Sequence, residues 1–191
     1  TQGGGLAAFD GGRFEVEDTR TGLPSDAVLA LAQSDIGGDT SLWVGFRHGG
    51  LGRRRQGQWT FWDRRSGLPN DNVAAILVGK GPRGEPELWV GTWHGAVRGL
   101  LGPDGPLWQP PEPELQGEVV HQIQQDALGR LYFSTNRGVL RLDRRVDRRL
   151  EWFTEEDGLP SNQCSASASL VDDQGRVWIG TMMGLAEYDP G

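Results

Sequence analysis

The sequence predicts an all-β fold: a β-propeller built from four-stranded antiparallel blades, with about four blades present. Three observations carry this. The heptapeptide "GLPSDAV" at residues 22–28 returns as "GLPNDNV" at 67–73 and as "GLPSNQC" at 158–164. A second landmark follows each box, "LWVG", "LWVG", "LYFS" and "VWIG", with Trp43, Trp89, Tyr132 and Trp178 spaced by 46, 43 and 46 residues. The composition, with 30 glycines, 11 prolines and eight tryptophans in 191 residues, supplies tight turns and large aromatic bodies to pack between short strands.

Each period of about 45 residues reads as four short strands, which is the signature of a propeller blade. The first follows the GLP box ("VLALA", "VAAILV", "VVHQIQ", "CSASASL") and is placed innermost, where blades converge and small or aliphatic side chains fit the taper. The second holds the landmark aromatic ("LWVGF", "LWVGT", "LYFST", "VWIGT"). The third opens on glycine ("GLAAFD", "GLGRRR", "GAVRGL", "GVLRLD", "GLAEYD"), and the fourth carries aromatics ("RFEVE", "QWTFW", "PLW", "LEWFT"). Alternating or β-branched character and bounding Gly, Asp or Pro turns support each strand. The chain then divides into a partial blade at 1–21, full repeats at 22–66, 67–113 and 114–157, and a repeat without its last strand at 158–191. Seven such blades would need a longer chain, so a segment of a larger propeller is expected, with flat apolar end faces that favour self-association. The copy at 114–157 has "ELQGEVV" where a GLP box belongs, and the copy at 67–113 has "GAVRGL" in its third strand, so these two blades are expected to be bent or loosely packed.

A net charge of −7 and a pI near 5.0 argue against a nucleic-acid partner, which needs a gathered surplus of Lys and Arg. The dense basic stretch "RRVDRR" at 144–149 reads as a solvated hairpin turn. Cys164 is the lone cysteine; it stands where Val28, Val73 and Val120 stand in other copies, and reads as a small buried hydrophobe. The longest apolar run, "VAAILV" at 73–78, is far short of a membrane span. No phosphate-binding glycine loop, nucleophile elbow or calcium loop is present, and no cofactor or metal is expected. Asp126 and Asp172-Asp173 read as hairpin aspartates.

These residues resemble the two-component regulator propeller repeat, and the copy "DGLPSNQC…DDQGRVWIGTMMGLAEYD" at 157–189 matches its pattern almost throughout. The resemblance implies the sensor propeller of a larger signalling protein, commonly a hybrid histidine kinase and sometimes a diguanylate cyclase. It implies a periplasmic or extracytoplasmic place, an output domain outside this chain, and a membrane reached only through a tether outside it.

In an antiparallel meander alternate connections share an edge, so the GLP box lies on the same face as the turn between the second and third strands. That turn keeps its frame and varies its inserts: Arg47-His48, Trp93-His94, Asn136-Arg137 and Met182-Met183. A repeated frame with changing inserts is how a propeller would present a ligand surface, here with cationic, aromatic and soft apolar walls suited to a small organic anion or a glycan. Two other readings stand beside the non-enzymatic sensor: a lyase or hydrolase with His48, His94 or His121 as general base, and a protein-docking scaffold.

Overall fold

The computed structural model describes residues 3–145 and 148–191, and over them the strands follow in the expected order. A hairpin of β1 (Leu6–Phe9) and β2 (Phe14–Glu17) precedes blade 1, which comprises β3 (Val28–Ile36), β4 (Asp39–Phe46), β5 (Leu51–Arg55) and β6 (Gln58–Trp62). Blade 2 comprises β7 (Val73–Lys80), β8 (Pro86–Thr92), β9 (Gly95–Gly102) and β10 (Gly105–Trp108). Blade 3 comprises β11 (Val120–Gln125), β12 (Leu131–Thr135), β13 (Gly138–Asp143) and β14 (Arg149–Phe153). Blade 4 comprises β15 (Cys164–Val171), β16 (Val177–Thr181) and β17 (Gly184–Tyr188). Each sheet is an antiparallel meander in chain order.

The core lies in the seams between blades. Trp43 and Leu51 of blade 1 pack with Val73, Leu88 and Val97 of blade 2. Trp89 and Ala96 of blade 2 pack with Val120, Phe133 and Leu140 of blade 3. Tyr132 and Val139 of blade 3 pack with Cys164, Val177 and Ile179 of blade 4. Burying these faces is the main favourable term for a fold made of thin sheets. Cys164 is buried as expected, and burial pushes its thiol up.

The GLP box is a turn with an anchor. Asp63 caps a short 3-10 turn, Arg64–Ser66, that ends on Gly67 in the left-handed region at φ 113°, a conformation glycine adopts without steric cost. Thr154 and Gly158 repeat the arrangement around Glu155–Asp157. Leu23 and Leu68 are then driven into the seams, and the acid or amide three residues on folds back: Asp26, Asp71 and Asn162 accept the N–H of Thr19, Arg64 and Glu155.

Two expectations are corrected. The copy lacking the box is neither bent nor loose: Pro113–Leu115 forms its own 3-10 turn, and Leu115 fills the anchor's place with no exposed surface. In the blade carrying "GAVRGL", β9 pairs with β8 over Gly95–Leu100 and with β10 over Gly99–Gly102, and Ala96 and Val97 are fully buried. Nor is Arg144 a solvated turn residue. Its guanidinium is largely buried and grips Glu87 of the neighbouring blade with two bonds of 2.8 and 2.6 Å, while Val146 and Asp147 lie outside the described residues.

Glycine at the end of the second strand measures the distance between blades. A Cβ on Gly45 would sit 2.5 Å from the Val73 carbonyl oxygen, and one on Gly91 would sit 2.6 Å from Val120 Cγ1. In blade 3 the same position is Ser134, whose hydroxyl meets Ser169 at 3.3 Å. Room for it comes from β15. The run from Cys164 to Asp172 is two residues longer than the matching run from Val120 to Asp126, and the surplus becomes a bulge between Cys164 and Ser169 that leaves Ser167 at φ 54°.

Candidate functional site

The turns that carry the variable pairs are held by a device the sequence reading missed. Thr92, Thr135 and Thr181 close their turns by donating to the carbonyls of Gly95, Gly138 and Gly184 at 2.8 to 2.9 Å. The same hydroxyls accept the N–H of His94, Arg137 and Met183. The signal was the threonine after "WVG", "YFS" and "WIG", hidden because Phe46 replaces it in blade 1. There the turn is one residue longer, His48 takes φ 59°, and its N–H goes to Asn72 Oδ1 at 3.0 Å.

The first residue of three of the four inserts is clipped to the segment entering the axial strand. Arg47 N–H donates to Ala27 O, Trp93 N–H to Asn72 O and Met182 N–H to Gln163 O, all at 2.9 to 3.1 Å. Box and turn therefore share one face, as the meander predicts.

The structure draws three of the eight predicted site residues together. Arg47 lies over the Trp93 ring at 5.3 Å, and His48 meets the same ring edge-on at 6.4 Å, across the seam of blades 1 and 2. Asn136 turns to His121 on the axial strand, with 2.6 Å between Oδ1 and Nε2. Met182 receives the Ser165 hydroxyl at 3.9 Å. Arg137 is drawn off to stack on Trp152 of β14 at 4.6 Å, so it belongs to the packing of blade 3. His94 and Met183 are exposed on the rim.

Between the four axial strands lies a half-open cavity of about 310 Å³. Leu29, Leu31, Ala74 and Ile76 line one side, and His121, Gln122, Gln124 and Ser167 the other, with no formally charged carboxylate, lysine or arginine among them. The polar half departs from the small and aliphatic taper expected of inner strands. Gln122 and Gln124 spend their amides on Ser169, both donating to its carbonyl while Gln122 Oε1 accepts its N–H, and this stitches blade 3 to blade 4. The Ser167 hydroxyl and the His121 ring, whose Nε2 already meets Asn136, complete its polar lining. Among the described residues no three His, Cys, Asp or Glu side chains gather as a metal set would.

No family model and no curated protein matches the chain. Solved structures do. The extracellular domain of BT3049 from B. thetaiotaomicron, described as a hybrid two-component system, superposes on 92% of this chain with a TM-score of 0.75 and 19% identity. That of BT4673, from the same organism, superposes on 97% with a TM-score of 0.76 and 18% identity. The chain shares their propeller fold. It spans about a quarter of their length, 23% and 25% respectively. A streptogramin B lyase matches less well, with a TM-score of 0.56 and 19% identity over 99% of this chain and 63% of its own.

Proposed function

We propose that the chain is the reading module of an extracytoplasmic signal receptor, binding a small molecule or a partner domain on its turn face and passing occupancy to an output domain that is not in this chain. The observation that supports it most is the superposition of nearly the whole chain on the extracellular domains of two-component systems. The turn face adds a place to bind. Arg47, His48 and Trp93 offer a cation over an aromatic platform, a combination that suits a glycan or an organic anion. Relay follows from differential affinity: a ligand that bridges the seam of blades 1 and 2 favours whichever packing of the propeller against its neighbours keeps that seam in register.

Calorimetric titration of the chain with a panel of glycan fragments and organic acids tests this reading. The expected result is a saturable heat that Trp93→Ala weakens about tenfold, since the platform serves both Arg47 and ligand. No heat across the panel, with the chain folded, overturns ligand reading and leaves a docking scaffold. Turnover of a panel compound that His121→Ala abolishes would instead place the axial His121–Asn136 pair at the centre of a lyase.

A further inference from the structure

One arginine of the propeller has lost the carboxylate that its counterparts keep. The landmark aromatic of each blade pairs in register with a residue of the third strand: Trp43 with Arg53, Trp89 with Arg98, Tyr132 with Arg141 and Trp178 with Glu187. Arg98 faces Glu87 at 3.5 Å, Arg141 is bonded to Glu151, and in blade 4 the charges are exchanged, with Glu187 accepting from Arg176 at 3.1 Å. Among the described residues Arg53 alone of these has no bonded carboxylate partner. Its sole acceptor is the Asp104 carbonyl at 3.5 Å, the outer limit of a hydrogen bond, and its buried Nε–H has none. The reason is legible two residues before the aromatic, where blade 2 has Glu87 and blade 1 has Ser41.

The space is there as well. A cavity of about 320 Å³ opens at the cleft between blades 1 and 2, lined by Ser34, Ser41, Trp43, Arg53 and Leu101 among others. Asp39 also borders it but is taken by Arg55. The guanidinium lies 5.7 Å from the Trp43 ring and 5.6 Å from the Trp62 ring, so its plane is fixed while its donors remain unspent. Burial first, and then Arg55, press this guanidinium below its ordinary value, and the Asp39 and Asp104 carboxylates offset that only in part. In the next cleft Trp89, Arg98 and Arg144 line a cavity of about 460 Å³, but there Glu87 already faces Arg98 and holds Arg144, so neither guanidinium lacks an internal carboxylate. Arg144 falls at the position that Leu101 occupies in blade 2, so the cleft of blades 1 and 2 has no counterpart of Glu87 or of Arg144, and the charges that border it beside Arg53 are the Asp39–Arg55 pair.

We propose that the cleft between blades 1 and 2 binds an exogenous carboxylate, which Arg53 holds where Glu87 stands one blade further on. The site lies at the β3–β4 hairpin end of the blades, opposite the turn face, and does not depend on the function proposed above. Two sources carry this chemistry, a small aromatic or aliphatic acid and a glutamate of another polypeptide. Benzoate and a blocked Gly-Glu-Gly peptide, each titrated calorimetrically into the 191-residue chain at pH 7, separate them.

Binding of either probe is expected, with about tenfold or greater loss in Arg53→Met, which keeps the stem and removes the charge. Ser41→Glu writes in the internal carboxylate of blade 2; it is expected to abolish binding and to raise the melting temperature. Benzoate alone binding assigns a small acid, and the peptide alone binding assigns a polypeptide. Unchanged affinity in Arg53→Met or Ser41→Glu overturns the proposal, as does the absence of heat from both probes. Should Arg53→Met fail to fold, Ser41→Glu decides the matter by itself.

Discussion

Blades 2 and 4 carry the same landmark indole, buried in one and half-buried in the other, and satisfy it by opposite means. Trp89 Nε1–H donates to Glu87, a strand residue with no exposed surface, shared with Arg144 of the following blade. Trp178 Nε1–H donates to Asp172 in its own hairpin, where the same carboxylate also takes Arg176. Blade 1 uses the Ser34 hydroxyl and blade 3 uses Asp126, which accepts from Tyr132. What the fold requires is an acceptor for a buried polar hydrogen, because leaving one unpaired costs more than any single pairing gains. Which residue supplies it is free to vary, and the variation decides whether the bond ties two blades together or stays within one hairpin.

That contrast can be broken most sharply at Glu87. Glu87→Ala strands one indole and two guanidinium groups in a seam, and urea denaturation is expected to show a loss of about 3–5 kcal/mol, the scale for removing one partner of a buried ion pair. A loss no larger than that of an exposed surface pair would mean that the seam is wetter than its geometry. Next comes Leu115, anchor of the copy without a GLP box. Leu115→Ala is expected to cost about 3 kcal/mol, and Leu159→Ala, at a half-buried anchor within a complete box, distinctly less. The reverse order would show that the box sequence, and not the burial of its leucine, holds the blade.

The smallest effect belongs to blade 4. The Trp178 indole, followed by backbone N–H groups and Arg176, holds the Asp172 carboxyl at about 2, below its ordinary value. A depressed folded value means the stabilisation is complete above about pH 4 and is lost as pH falls toward 2. Asp172→Asn is therefore expected to flatten the acid limb of stability measured between pH 5 and 2. An unaltered limb would assign acid sensitivity to Asp143, held at about 2 chiefly by Arg145.

The propeller was legible because repetition amplifies weak signals: four aromatic landmarks and three GLP boxes fix a period that no single strand could. The seams were not. Arg144 looks like a solvated turn residue beside "RRVDRR", and only its position opposite Glu87, 57 residues away, turns it into a structural cation. The candidate site was half visible for the same reason. Inserts in a repeated frame can be read from sequence, but Arg137 has a ring of its own blade to stack on, and Arg47 finds its ring in the next blade. Long-range partners of this kind leave no local pattern.

The glycine that spaces the blades has a consequence for how such a chain can change. Gly45 answers to Val73 and Gly91 to Val120, whereas Ser134 is tolerated where β15 swings wide. A copy lifted from one place and set in another would bring a serine against a strand with no bulge, or a glycine against a gap. The copies are thus no longer interchangeable, and adjacent blades are bound to diverge as couples. A recombinant that shuffles single blades will pay at both borders, while one that moves a matched neighbour pair disturbs only the outer two.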